Sequence, residues 1–527
     1  MSLKNSNYEQ IRIFNLINLL VRKKTFMKQK RFHWIPALFL STIFCMGAFI
    51  SFAQRKKDSP AIERVLHNLS SEIQVEGVPN WTLFERMAYY HVKGVSIAVI
   101  KDYSIEWAKA FGWADSAEQR PATTATKFQA GSISKSLNGV GIMKLVQEQK
   151  LDLYTDINEY LKKWKFPYDS LAHGKKITLA NLLSHTAGLT VHGFPGYERG
   201  DPIPTLPQVL DGKRPANTAA IRSLFEPSLK AQYSGGGTTI SQLIVEDITQ
   251  MPYDQFMWEN VLQPIGMNHS SFTQPPAVES QNQFATAYNT DGKAVKGKYH
   301  IYPEEAAAGL WTTPTDLSKY IIETQLSILG KSAKALSKEM NKLRLTPYID
   351  SSTALGVFID TRGGQKYFGH SGQDEGFVAR YWGSFEGGYG VVVMANTDDM
   401  SIIDEIINSV AIVYQWKEFY KPFMVLKPQD ISSDLLNSYV GDYLDSVESN
   451  GQFNLAPGSL VTISKKKNQL SVQVRGQEKV DIYPERSDRF FPKTSDTDIT
   501  FVKDAKGMVT KITIHQQGKF IECQKLR

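Results

Sequence analysis

Apolar residues alternate with polar ones in two widely separated blocks of this chain, and the stretch between them follows a helical period. Residues 94–111 read GVSIAVIKDYSIEWAKAF. Val95, Ile97 and Val99, then Ile105, Trp107 and Ala108, flank a polar KDYS turn, the pattern of a β-hairpin. Strand-like runs return at Gly356–Asp360, Lys366–Gly369, Phe377–Trp382 and Val391–Asn396. Between the blocks, Leu137–Lys150, Ile177–Leu183, Ala219–Phe225, Ile240–Ile248 and Asp316–Leu329 carry helical spacing. Early and late strands are therefore expected to share one antiparallel sheet, with the middle of the chain as a helical insertion. Thr190–Pro215 is rich in Gly and Pro without periodicity, a loop long enough to suspect function.

Past Trp416 the texture changes. Lys421-Pro422 and Lys427-Pro428 mark a linker. From Tyr439 onward come short alternating runs, Leu460–Ile463, Leu470–Val474, Val480–Tyr483, Ile499–Val502 and Val509–Ile514, spaced as in an all-β barrel or sandwich. No internal repeat or low-complexity tract occurs.

The net charge of +7 suggests a polyanion partner only until its position is read. Residues 1–53 hold eight Lys/Arg and one acid, Glu9, and the rest of the chain carries as many acids as bases. No nucleic-acid partner is implied. The basic residues Lys28, Lys30 and Arg31 precede an uncharged run, Trp34–Ala53, that ends in Ser51-Phe52-Ala53. A basic start, an apolar middle and a small-x-small exit make an export signal, with Gln54 as the first mature residue. Twenty uncharged residues also suffice to span a bilayer of ~30 Å, so an uncleaved N-terminal membrane anchor is the alternative. Met27 can open such a signal by itself, leaving residues 1–26 as an over-long start. The product is expected in the periplasm or outside the cell. Of the two cysteines, Cys45 and Cys523, cleavage removes the first, which excludes an internal disulfide.

Three short segments carry chemistry. In the first, Gly131-Ser132-Ile133-Ser134-Lys135, a serine at a helix start has a lysine one turn later on the same face. A serine hydroxyl needs a base to become a nucleophile, and a helix N-terminus offers free N–H groups to an oxyanion. Alone, Ser-x-x-Lys is a weak motif; it recurs at Ser464–Lys467 in a strand-like run, and an N-cap serine is its ordinary meaning. The second segment is Tyr233-Ser234-Gly235-Gly236-Gly237, by itself a glycine turn beside a core tyrosine. The third, Gly369-His370-Ser371-Gly372-Gln373, ends a strand. It is not a nucleophile elbow of the Gly-x-Ser-x-Gly type, because Gln373 stands where glycine is needed.

Taken in order, FQAGSISK (128–135), LLSHTAGL (182–189), Tyr233-Ser-Gly, AGLWTTPTDL (308–317) and His370-Ser-Gly372 closely resemble the serine β-lactamase-related family. That family includes class C β-lactamases, D-alanyl-D-alanine carboxypeptidases, D-aminopeptidases and esterases. The resemblance runs from about Ile62 to about Tyr414. It implies an α/β (α+β) fold in which an antiparallel sheet flanked by helices stands beside a helical subdomain, with the site between them. A small all-β barrel, similar to one appended to some members, would follow. The implied layout is a signal or anchor over 1–53, a catalytic domain over 59–416, a linker over 417–432 and a barrel over 433–527.

The resemblance also implies roles. Ser132 is the acylated nucleophile, Lys135 its proton-handling partner and Tyr233 the general base. The backbone N–H groups of Ser132 and Gln373 form the oxyanion hole, and His370-Ser371-Gly372 replaces a strand motif Lys-Thr-Gly. Unperturbed tyrosine and lysine have pKa values of about 10 and 10.4, so either must be tuned to act as a base.

Two departures bear on substrate. The Tyr-x-Asn of β-lactamases reads Tyr233-Ser234-Gly235, so Gly235 offers no amide and the wall beside Tyr233 should be bare backbone. His370 stands in place of a lysine cation, which should weaken carboxylate anchoring near neutral pH. The expected activity is hydrolysis of short esters or of D-amino-acid or peptidoglycan-type amides, with a small molecule or peptide as substrate. A β-lactamase proper or a penicillin-binding D,D-carboxypeptidase is the alternative, and a non-catalytic binding module a further one. Intact Ser132, Lys135 and Tyr233 argue against the last. His185 is read as a structural residue capping a helix end. The ten histidines include no His-x-His and no His-Glu-x-x-His, and no Walker or dinucleotide glycine motif occurs, so neither a metal nor a cofactor is expected.

Overall fold

In the computed structural model the two strand blocks form one seven-stranded sheet. The structure describes residues 59–526 apart from 71–72, 278–281, 421, 423, 446–459, 476–478, 495–496 and 517–518; the basic and apolar segment at 28–53 lies outside the described residues. Strand β1 (Ile73–Val75) stands apart from this sheet. The expected hairpin is β2 (Gly94–Lys101) and β3 (Ser104–Asp115), turned by Asp102 and Tyr103 at positive φ, and β4 (Arg120–Pro121) extends it. β5 (Phe128–Gln129) and β6 (Trp311–Thr312) form a separate small pair. The late strands are β7 (Phe358–Arg362), β8 (Gln365–Asp374), β9 (Phe377–Ser384) and β10 (Gly390–Ala395).

The order is β4-β3-β2-β10-β9-β8-β7, and the long-range join is antiparallel, with Val391 opposite Val99 and Val393 opposite Ile97. The central strands bury both faces. Val95, Ile97, Val99, Val391 and Val393 pack with Ile402, Ile403 and Ile406 of the helix Ser401–Val413. Ile100, Val392 and Met394 face the other way, toward Leu317 and Ile321 of the helix Pro314–Ile328. Burying each such aliphatic side chain stabilises the sheet by about 1.5–3 kcal/mol.

Four of the five expected helices form, as Ser134–Gln147, Leu179–Leu183, Gly235–Thr249 and Pro314–Ile328. Ala219–Phe225 is not a helix. It runs beside 188–190, where Thr190 N–H donates to Arg222 O at 2.9 Å and Leu224 N–H to Gly188 O at 2.7 Å. Glu226-Pro227 closes the run, and these partners satisfy its backbone in place of helical bonds. The loop Thr190–Pro215 contains one short helix, Leu206–Asp211, opened by a Thr205/Gln208 capping box.

The segment read as a linker carries β11 (Met424–Leu426), which pairs in parallel with β1. Eight antiparallel strands follow and close into a barrel rather than a sandwich. They are β12 (Gly441–Asp445), β13 (Leu460–Lys466), β14 (Gln469–Val474), β15 (Val480–Arg486), β16 (Arg489–Pro492), β17 (Thr497–Lys503), β18 (Val509–Gln516) and β19 (Lys519–Lys525). Its core stacks Tyr439 on Phe501, with Phe490, Ile512 and Cys523 around them. Phe491 packs with Val75 and Leu426, and Lys493 donates to Pro79 O at 2.8 Å while lying over the Trp81 ring.

We propose that residues 433–527 nonetheless fold as a unit dispensable for the chemistry. A chain cut near Pro428 should stay soluble and react at Ser132, with a melting temperature lowered by a few degrees as Val75 and Leu426 lose Phe491. An insoluble or inert product would make the barrel part of the site or of its stability. Among the described residues no helix is long and apolar enough to cross a membrane.

Candidate active site

Gly131–Ile133 forms a 3₁₀ turn, and the α-helix begins only at Ser134. Ser132 therefore stands just ahead of the helix, half-buried, rather than capping it with its side chain. Ser134 secures this turn, donating its hydroxyl to Gly131 O at 2.6 Å and accepting the Leu310 N–H at 3.0 Å. Lys135 is buried, at 3% exposure, and its Nζ has two partners. It lies 2.9 Å from Ser132 Oγ and donates to the Ala307 carbonyl at 2.7 Å. The second Ser-x-x-Lys, Ser464–Lys467, falls on β13 of the barrel and the turn after it.

Strand β8 supplies the facing wall. β7 pairs with it only as far as Gly369, so from His370 onward that edge of β8 is open. Pairing alternates along β8, and the hairpin to β9 closes at Asp374–Phe377. Gln373 thus takes the register whose N–H and C=O turn away from β9 and toward the open edge. The Gly131–Ile133 turn fills that edge. A side chain on Gly131, which has φ +50°, would meet Gln373 N at 2.5 Å, and one on Gly372 would meet Ala130 O at 1.8 Å. Two glycines hence allow the backbones carrying Ser132 N–H and Gln373 N–H to abut.

Tyr233 reaches the same place from the residue before Ser234, the N-cap of Gly235–Thr249. Its ring packs 4.2 Å from His185 and 4.8 Å from His192, measured between centroids, and Lys135 Nζ lies 5.1 Å from its centre. His185, in the left-handed region just past Leu179–Leu183, accepts the Ser234 N–H on Nδ1 at 3.3 Å. It ends a helix, as its position suggested, and it also holds Tyr233. Burial, with Lys135 next in effect, keeps its imidazole well below the usual range.

One expectation about the substrate wall is corrected. The place beside Gly235 is not bare: Gly235 is buried, its N–H donates to His192 O at 2.9 Å, and the Phe194 ring covers it. His370 offers no cation, in line with a weakened hold on a substrate carboxylate. Burial, and then the nearby Lys135, push its pKa down to about 3, so it is neutral at working pH. Its Nδ1 meets Ser371 O at 2.5 Å and therefore carries the proton, leaving Nε2 a buried acceptor without a partner. Ser371 lines the site, half-buried. Sequence reasoning also missed the Ala307 carbonyl and Phe358, whose ring lies 5.1 Å from that of His370.

Ser132, Lys135, Tyr233, His370, Ser371, Gly372 and Gln373 thus converge on one place from three separate parts of the chain. Residues 82–405, more than half of the chain, match the Beta-lactamase family model. The chain is 25% identical over 325 residues to Protein flp of Staphylococcus aureus strain MW2, spanning 58% of this chain and 60% of that protein's length. It is 21% identical over 444 residues to Penicillin-binding protein 4* of Bacillus subtilis strain 168, covering 80% and 92%. The octameric penicillin-binding protein homologue from Pyrococcus abyssi superposes with a TM-score of 0.58 at 22% identity, over 84% of this chain and 98% of that one. The penicillin binding protein from Bacillus halodurans does so with 0.51 at 20% identity, over 63% and 98%. These structural likenesses show a β-lactamase/transpeptidase-like fold. Together with the family match they place this chain in the serine β-lactamase and penicillin-binding-protein-related family.

Proposed function

We propose that this protein is an exported serine hydrolase that acylates Ser132 and prefers short esters or D-amino-acid and peptidoglycan-type amides to β-lactams. The observation that carries the reading is the 2.9 Å contact between Lys135 Nζ and Ser132 Oγ, with the Ala307 carbonyl holding the same nitrogen. Lys135 and Tyr233 share removal of the serine proton. Ser132 Oγ then attacks the acyl carbon, and the N–H groups of Ser132 and Gln373 receive the oxyanion. Losing one such donor typically costs about 3 kcal/mol. Collapse expels the protonated leaving group, and water releases the acyl group by the same steps in reverse. Export rests on the charge step ahead of Trp34–Ala53.

The preference for esters follows from the covered wall. With Gly235 sealed under Phe194 and His370 neutral, neither an amide nor a carboxylate on a β-lactam finds its partner there. An ester needs only the nucleophile, its base and the oxyanion donors. p-Nitrophenyl butyrate should therefore exceed a chromogenic cephalosporin in kcat/KM by at least tenfold on the same preparation. Gly235→Asn should not reverse the order, since a side chain there already meets His192 O at 3.0 Å and Phe194 at 3.2 Å. A clear win for the cephalosporin would make a β-lactamase proper the better reading. Failure of a fluorophosphonate to label Ser132 would favour a non-catalytic binding module.

A further inference from the structure

The Ala307 carbonyl that holds Lys135 Nζ belongs to a single short helical turn, Glu305–Ala308. Carbonyls in the last turn of a helix have no partner within it. The donor that a longer helix would bring to Ala307 O is the Trp311 N–H, which goes instead to Ser271 O at 2.9 Å. That leaves the oxygen for Lys135. So short a helix is not stable by its own hydrogen bonds. Its N-terminus also lacks the usual side-chain support. Glu304, at the N-cap, makes no cap hydrogen bond, and both its carboxyl oxygens are buried without a partner.

Support comes from another helix. Gln242, 2% exposed in the middle of Gly235–Thr249, donates Nε2 to Pro303 O at 3.1 Å, and its Oε1 accepts the Ala306 N–H at 3.0 Å. One amide thus bonds the backbone on both sides of Glu304. Two other glutamines brace the flanks of the same segment. Gln129 Nε2 donates to His300 O and Gln274 Nε2 to Gly309 O, each at 2.8 Å. Of the three, Gln242 is the one that bonds a residue inside the turn.

We propose that Gln242 is a positioning residue that caps the Glu305–Ala308 turn from outside and so aims the Ala307 carbonyl at Lys135 Nζ. The inference rests on the reading of Lys135 as a group that handles the Ser132 proton. Without the amide, the Ala306 N–H loses its acceptor and the turn loses its cap. The carbonyl then shifts, and Lys135 Nζ loses the direction that sets it 2.9 Å from Ser132 Oγ. A displacement of about 1 Å in a reacting group can slow a step on the order of 10²-fold.

The test is a double-mutant cycle on the full chain, with Gln242→Met, Lys135→Met and both together. It reads the rate of fluorophosphonate labelling at Ser132, kcat and KM for p-nitrophenyl butyrate, and thermal melting. Methionine keeps an unbranched side chain of similar length and drops both hydrogen bonds. Gln242→Met should slow labelling and lower kcat by about ten- to thirtyfold, with KM within about threefold. In the Lys135→Met background the same substitution should change labelling by less than about threefold, because no nitrogen is left for the carbonyl to hold. A loosened core, or an effect routed through Tyr233 at the head of the same helix, would persist in that background. Should the methionine variant not fold, Gln242→Asn, whose amide falls one methylene short of 303–306, reads the same loss in the same cycle.

Parental labelling in a folded variant would overturn the proposal. So would a loss confined to KM, or one undiminished when Lys135 is absent. If fluorophosphonate labels the parent at Ser132 and Lys135→Met slows that labelling, any of these results sinks the Gln242 clamp alone. If the parent does not label, or labels no faster than Lys135→Met, the reading of Lys135 falls and takes the clamp with it.

Discussion

Ser132→Ala is expected to abolish turnover of esters, amides and β-lactams alike, with kcat/KM falling by on the order of 10⁴-fold or more. No neighbouring hydroxyl can take its place. Ser134 spends its own on Gly131 O, and Ser136 accepts the Tyr381 hydroxyl at 2.9 Å inside the core. Ser371 lines the site from β8, but among the described residues no base is hydrogen-bonded to its hydroxyl, so Ser371→Ala should be mild. The fold should survive. Ser132 is half-buried and contributes no apolar packing, and Lys135 keeps its bond to Ala307 O when the hydroxyl is gone. Circular dichroism and melting on the variant establish the fold, and mass spectrometry after fluorophosphonate treatment establishes the lost label. Retained turnover in a natively folded variant would remove Ser132 from the mechanism.

What the sequence disclosed depended on whether one segment's pattern sufficed. The β2–β3 hairpin was legible because its alternation and its KDYS turn are both local. The join of β10 to β2 followed from the split pattern, since two apolar strands with buried faces must find each other. β16, four residues around Phe490 and Phe491, carries too short an alternation to be seen, and only closure of the barrel makes it a strand. Ala219–Phe225 has helical spacing, yet its partners lie at 188–190 and outcompete a seven-residue helix.

The site divides the same way. Ser132, Lys135, Tyr233 and His370 stand in short motifs whose order is informative. Phe194 over Gly235 could not be read, because a glycine-rich loop has no period to say where its aromatic ring will rest. The neutrality of His370 is likewise a property of burial beside Lys135 and Phe358, not of the His-Ser-Gly motif. The Ala307 carbonyl belongs to the backbone and leaves no side-chain signature at all.

Loss of the lysine should rank next to loss of the serine. Lys135→Met keeps an unbranched stem of similar length in a position only 3% exposed, so the helix Ser134–Gln147 and its packing should hold. It removes the one side chain hydrogen-bonded to the nucleophile among the described residues. General base assistance is typically worth 10²–10⁴-fold, and kcat/KM for p-nitrophenyl butyrate should fall by about 10³-fold. Tyr233→Phe removes a hydroxyl but keeps the ring against His185 and His192, which predicts a smaller loss of about 10²-fold. The two variants together distinguish the roles. With Lys135 as the immediate proton acceptor, the methionine variant loses the acylation step itself, measured as the rate of fluorophosphonate labelling, more than the phenylalanine variant does. Equal labelling rates for Lys135→Met and the parent would show that the 2.9 Å contact orients Ser132 without taking its proton, and would make Tyr233 the base.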